Sequence, residues 1–190
     1  MRYFVIACLF FAGSSQASEF RGYVETNQLI RERLIDSDSR FEIGSLISER
    51  YNDFGTSILD LLGTYKSSGV SLGFKNGQPN SANMLVWKMI LSEFSNQIGG
   101  LCYGADAHIF NDAFKKIVVP ICDWSKDSAR SEDNLKALWL AIMDYDAPEE
   151  EYQIWRDFFL KDEWRAAQPS DVVSAMTASI LMSPYFLLRD

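Results

Sequence analysis

Apolar side chains recur at helical spacing over most of this chain, and the pattern is cleanest in the last third. Tyr152, Trp155, Phe158 and Phe159 share one face of a helix that opens at Asp146-Ala147-Pro148-Glu149-Glu150-Glu151. That opening supplies an acidic residue able to cap, a proline with pre-set φ, and three carboxylates facing the positive end of the helix dipole. A second helix follows Gln168-Pro169-Ser170-Asp171, with Val172, Val173, Met176, Ile180 and Leu181 on one side and small residues Ala175, Ala178 and Ser179 allowing close packing. Before this pair, Leu135, Leu138, Trp139, Ile142 and Met143 predict a helix that packs against it.

Earlier in the chain the same period continues. Thr26 is placed to cap a short helix through Leu29, Ile30 and Leu34, after an extended or mobile lead-in from Ser18 to Glu25. Ser39-Arg40-Phe41-Glu42 has the form of a capping box. It precedes a long stretch with Ile43, Ile47, Tyr51, Phe54, Ile58, Leu61, Leu62 and Tyr65 on one side, which Gly55 can divide. Val70 to Ala82, with Gly73, Asn76-Gly77 and Pro79, reads as a surface loop, a small hairpin being the alternative. A helix is expected from Ala82 to Ile98, stopped by Gly99-Gly100, and another from Asp106 to Val118, stopped by Pro120. Asp123 to Asp133 reads as a polar connector. The expected fold is therefore all-α: a single-domain, irregular helical bundle of about six or seven helices.

The N-terminus adds a compartment. Met1-Arg2-Tyr3, the apolar run Phe4–Ala12 and Gly13-Ser14-Ser15-Gln16-Ala17 form the three parts of a secretory signal with cleavage after Ala17. This divides the chain into a signal peptide, 1–17, and a helical domain, 18–190. The run falls short of the about 20 residues a spanning helix needs. Cys8 lies too close to the start for a lipoprotein signal of ordinary length, although lipidation there stays an alternative. A periplasmic location follows, free or associated with the outer membrane, with no transmembrane segment in the mature chain.

Cysteine usage agrees with an oxidising space. Without Cys8, Cys102 and Cys122 remain and are expected to pair. The formal charge of -8 becomes about -9 when Arg2 leaves with the signal, because no acid leaves with it. Such a surface disfavours nucleic acid and anionic lipid, which require clustered Lys and Arg. With 47% apolar residues and 13 Phe, the chain has material for a substantial core.

The closing phrase Ser183-Pro184-Tyr185-Phe186-Leu187-Leu188-Arg189, after a Pro-Glu-Glu-Glu helix start and an aromatic helix, resembles helical domains of planctomycete-type extracytoplasmic proteins that accompany cytochrome c modules. Ser183, Pro184, Phe186, Leu187 and Arg189 carry the likeness, over about a quarter of the chain. Where those relatives usually place basic residues before the helix-starting proline, this chain has Met143-Asp144-Tyr145-Asp146. The resemblance implies a helical envelope protein and transfers no catalytic residue. No Cys-x-x-Cys-His occurs, so any haem belongs to a partner and no cofactor is expected in this chain.

Candidate chemistry is sparse. His108 is the single histidine, which excludes a multi-histidine metal centre. Beside Asp106 and Asp112 on a helix, its plain role is a carboxylate contact. The acids Asp144, Asp146, Glu149, Glu150 and Glu151 lack the alternating ligands and turn glycine of a calcium loop, so no metal is expected. Trp124 and Trp164 sit in polar company and, with Tyr185, Phe186, Leu187 and Leu188, are the candidate contact residues for a protein partner or larger assembly, the alternative being that the tryptophans cap the edge of the core and the tail closes it. The expectation is a non-catalytic binding or structural component of the envelope. The alternatives are a periplasmic cell-wall hydrolase with an acidic general acid such as Glu93, and an acidic immunity or inhibitor protein facing a basic target.

Overall fold

The computed structural model describes residues 19–21, 23–43, 46, 81–105 and 107–189. The signal peptide with Cys8, nearly all of the periodic stretch after Ile43, and the loop expected from Val70 lie outside the described residues. Among those described, seven α-helices are present: α1 (Tyr23–Leu34), α2 (Ser81–Gly100), α3 (Asp112–Ile121), α4 (Glu132–Met143), α5 (Glu149–Phe159), α6 (Pro169–Leu181) and α7 (Pro184–Leu187). A two-residue antiparallel pair, β1 (Glu19–Phe20) with β2 (Leu188–Arg189), fastens the two ends together, Glu19 opposite Arg189 and Phe20 opposite Leu188. The all-α expectation holds, and so does the Cys102–Cys122 disulfide, whose Cα atoms lie 5.1 Å apart.

The three C-terminal helices form where the periodicity puts them. In α4 the side chains expected inside, Leu135, Leu138, Trp139, Ile142 and Met143, are the buried ones, and Ser131 caps the start by accepting from the Asn134 N–H at 3.2 Å. In α5 Tyr152, Trp155 and Phe159 are buried, with Phe158 half-buried beside them. In α6 all five expected apolar residues are buried, joined by Met176's neighbour Thr177, whose hydroxyl donates back to the Val173 carbonyl at 2.9 Å.

Several boundaries differ from expectation for physical reasons. α1 starts three residues before Thr26, which is fully buried within the helix instead of capping it. The lead-in is ordered: β1 pairs with the tail and the Arg21 N–H donates to the Leu187 carbonyl at 2.7 Å. Ser39 accepts from the Phe41 N–H two residues on, a local turn, where a capping box would reach Glu42. α2 runs through Gly99 and Gly100 into a 3₁₀ turn, Leu101–Tyr103, and the chain reverses at Gly104, which takes the left-handed conformation (φ 73°). α3 begins at Asp112 behind an Asn111 cap, six residues later than expected, and includes Pro120 in its last turn.

Among the described residues the most extensive helix–helix contact is α2 against α6. Gly99 sits tightly in it: a Cβ there would run into Ser174 Oγ and come within 2.5 Å of the Ser170 carbonyl oxygen. Two aromatic runs are part of the same core. Phe41, Phe94, Phe110 and Phe114 follow one another at centroid spacings of 5.7, 5.9 and 5.8 Å. Trp139, Trp155, Phe159 and Trp164 do so at 5.9, 5.4 and 5.2 Å.

Four of the candidate contact residues are interior, so for these the core alternative is the one the fold uses and the contact role does not hold. Trp124 is fully buried under the Arg130 guanidinium, 5.8 Å from its ring centroid, while Asp123, Ser125 and Lys126 face solvent. In a tight turn successive side chains point apart, so polar neighbours in sequence do not report where the tryptophan goes. Trp164, in the 3₁₀ turn Asp162–Trp164, packs on Phe158 and Phe159. Phe186 and Leu187 are buried because α7 folds back onto the core, and Leu188 is half-buried in β2. Only Tyr185 of the set is exposed, at 43%.

Candidate functional site

Tyr185 does not stand alone. α4 ends at Asp144, the single described non-glycine residue with positive φ (62°), a conformation aspartate tolerates better than most. That reversal throws Tyr145 outward, 41% exposed, to a position where its hydroxyl donates to the Tyr185 carbonyl at 3.4 Å. Tyr185 is presented by α7, whose start is fixed by Ser183 accepting from the Phe186 N–H at 3.3 Å. The first turn of α5 carries Glu149, Glu150 and Glu151, and Glu151 is close enough to both phenols for its charge to act on them. Ile154, three residues further along α5, is 56% exposed.

Glu151 is the electrostatic centre of this patch. Its Oε2 is buried without a hydrogen-bond partner. Burial pushes its carboxyl above the usual range, and the nearby Tyr185 hydroxyl pulls the other way. That hydroxyl approaches more loosely than a formed hydrogen bond, which is why Oε2 stays unsatisfied. Burial, reinforced by Glu151, also raises the Tyr185 phenol. Tyr145 is raised first by burial, with Arg21 opposing. Two cations lie near: Arg33 donates to the Ile142 carbonyl at 2.7 Å at the C-terminal end of α4, and Arg21 lies 3.8 Å from Glu25 with its Nε buried and unbonded.

A second place gathers reactive residue types. Asp36, Asp38, Ser39, Arg40, Phe41, His108 and Ile109 line a shallow depression of about 450 Å³. His108 is exposed in the turn before α3, so the helical contact with Asp112 does not form; Asp112 pairs with Lys115 at 2.7 Å. The groups here serve the backbone. Ser39 Oγ accepts from Phe41, the Asp36 carboxylate accepts from the Asp38 N–H at 2.9 Å, and no hydrogen bond joins His108 to either. Glu93, half-buried on α2, is not part of this depression. No group of three or more potential metal ligands occurs among the described residues.

The Tyr145–Glu151–Tyr185 patch was only partly readable in sequence. In the sequence Tyr185 stands out through its apolar neighbours, which turn inward, and the acids read as partners of the helix dipole or as a calcium cluster without its loop. Tyr145 carried no periodic signal because it sits in the α4–α5 turn. Comparison with family models, with curated proteins and with solved structures gives no match.

Proposed function

We propose that this protein is an exported, non-catalytic binding component of the bacterial cell envelope, engaging a protein partner through the surface formed by Tyr145, Glu151, Ile154 and Tyr185. The observation that carries this reading is the pairing of two outward tyrosines around a half-buried, unsatisfied carboxylate, where most other large aromatics among the described residues are interior. Exposed aromatic side chains with a polar tip are common anchors at interfaces. Export is supported by the leader-like N-terminus and the disulfide, and cleavage after Ala17 would leave β1 in the mature chain. No helix among the described residues is long and apolar enough to cross a membrane.

The test is photocrosslinking in intact cells, with p-benzoylphenylalanine placed at Tyr185, at Tyr145, or at the distant exposed Lys116. One partner captured from both tyrosine positions and not from Lys116 is the expected result. Equal capture from all three, or none from the tyrosines, removes the patch from this role.

Glu151 also favours a second reading, a periplasmic cell-wall hydrolase, since a carboxyl with a raised pKa suits a general acid. It would use Glu151 in place of Glu93. Clearing of purified cell-wall glycan by the protein, abolished in Glu151→Gln, would establish that reading, and no clearing would dismiss it.

A further inference from the structure

Among the arginines whose side chains are described, all but one are engaged. Arg31 donates to the Ser39 and Phe41 carbonyls at 3.2 and 3.0 Å, Arg33 to Ile142 and Arg130 to Leu160, while Arg21, Arg156 and Arg165 face carboxylates. Arg40 is the exception, exposed and with no hydrogen bond, ion pair or ring contact. His108, the single histidine of the chain, is exposed and equally unengaged. Both line the same depression of about 450 Å³. A small ligand fits a volume of that order.

We infer that this depression binds a small, singly charged carboxylate with an apolar body, its carboxylate held by Arg40 and His108 and its body resting on Phe41 and Ile109. The site is separate from the docking surface proposed above, none of whose residues lines it. Its walls are already built. The two bonds from Arg31 hold the carbonyls on either side of Arg40, the Ser39 N–H donates to the Asp36 carbonyl at 3.0 Å, and the Asp36 N–H ties this turn to the Ile109 carbonyl at 2.9 Å. Phe41 stacks on Phe94 at 5.7 Å and Ile109 is buried, so the apolar floor is continuous with the core. A preformed site loses little to ordering when it binds. The planar guanidinium suits a carboxylate because it can donate two parallel hydrogen bonds to it, and an imidazole N–H adds a third donor. Two acids set the limit on ligand charge. Asp36 is turned to the Asp38 N–H at 2.9 Å and the Asp38 carboxylate is exposed at the same depression, so a second negative charge on the ligand meets repulsion. That field selects a carboxylate over a phosphate ester.

The experiment titrates the purified protein, followed by amide NMR, with phenylacetate, with neutral phenylacetamide and with phenyl phosphate. Saturable binding of phenylacetate at about 1 mM or below is expected, with shifts centred on Phe41, His108 and Ile109. Phenylacetamide and phenyl phosphate should each bind at least about fivefold more weakly. Affinity for phenylacetate should fall about tenfold in Arg40→Gln and about threefold in His108→Gln, and stay unchanged in Lys116→Gln, which alters an exposed cation outside the depression. Both site residues are exposed, so an unchanged amide dispersion in these variants separates lost binding from lost folding. No saturable binding, equal binding of the amide, tighter binding of phenyl phosphate, or an affinity unmoved by Arg40→Gln would each overturn the inference.

Discussion

The α2–α6 crossing and the Tyr145–Glu151–Tyr185 patch are built on opposite principles. At the crossing, Gly99 has no spare volume, and the groups it would meet are the Ser170 backbone and Ser174 hydroxyl. At the patch, two rings are about 40% exposed and a carboxylate oxygen has nothing to bond. One region is over-determined by contact and the other is left incomplete. The lesson is that stability and recognition are separable here: the crossing should govern whether the chain folds, and the patch should govern what the folded chain holds.

The largest expected effect is on the disulfide, which ties the turn after α2 to the end of α3. Cys102→Ser/Cys122→Ser should cost about 3 kcal/mol in urea unfolding, because a loop of this length gains that much freedom in the unfolded chain. Next comes the crossing itself. Gly99→Ala gains about 1 kcal/mol of helix propensity. The added methyl nevertheless runs into a backbone oxygen that cannot rotate away, so a net loss of about 2 kcal/mol is expected. An unchanged midpoint would show that the helices separate easily there.

The patch should behave differently. Tyr145→Ala/Tyr185→Ala is expected to shift stability by about 1 kcal/mol or less, as both side chains are substantially exposed, while abolishing crosslinked partner capture. A loss approaching that of Gly99→Ala would mean the tyrosines hold the tail in place and the comparison fails.

The smallest effect is one of pH. Because the folded pKa of Glu151 is raised by burial, the folded state holds its proton more tightly than the unfolded chain does. That contribution is fully present below the ordinary carboxylate value and is lost as pH rises through the raised one. At neutral pH Glu151→Gln should therefore be slightly more stable than the parent, with the difference shrinking towards low pH. Thermal unfolding across that window checks the sign.

The same contrast explains what sequence could reveal. α4 and α6 were legible residue by residue, because a helix packed on one face must repeat apolar residues at its own period, and Leu135 to Met143 and Val172 to Leu181 do so. The α2–α6 contact was less so: Ala175, Ala178 and Ser179 were chosen as the small face, whereas the close approach uses Gly99 with Ser170 and Ser174. Small residues permit proximity without saying which partner they meet. Gly99-Gly100 looked like a helix stop for the same reason. The sequence leaves the tryptophans open between core edge and contact surface because burial in a turn depends on tertiary folding, which carries no period. Trp124 with Asp123 and Lys126 beside it, and Trp164 after Asp162-Glu163, gave only the polarity of their neighbours. Tyr145 and Glu151 come together only when the tail returns, so no local spacing could announce them.

The short pairing of Glu19–Phe20 with Leu188–Arg189 sets the segment before α1 beside the segment after α7. In a chain trimmed to residues 19–189, a brief Gly/Ser joint across that meeting point should yield a cyclic molecule with its architecture intact. New ends opened at exposed Gly104 would lie within the loop spanned by the Cys102–Cys122 bridge, so that single covalent tie would still connect the first and last segments of the rearranged chain.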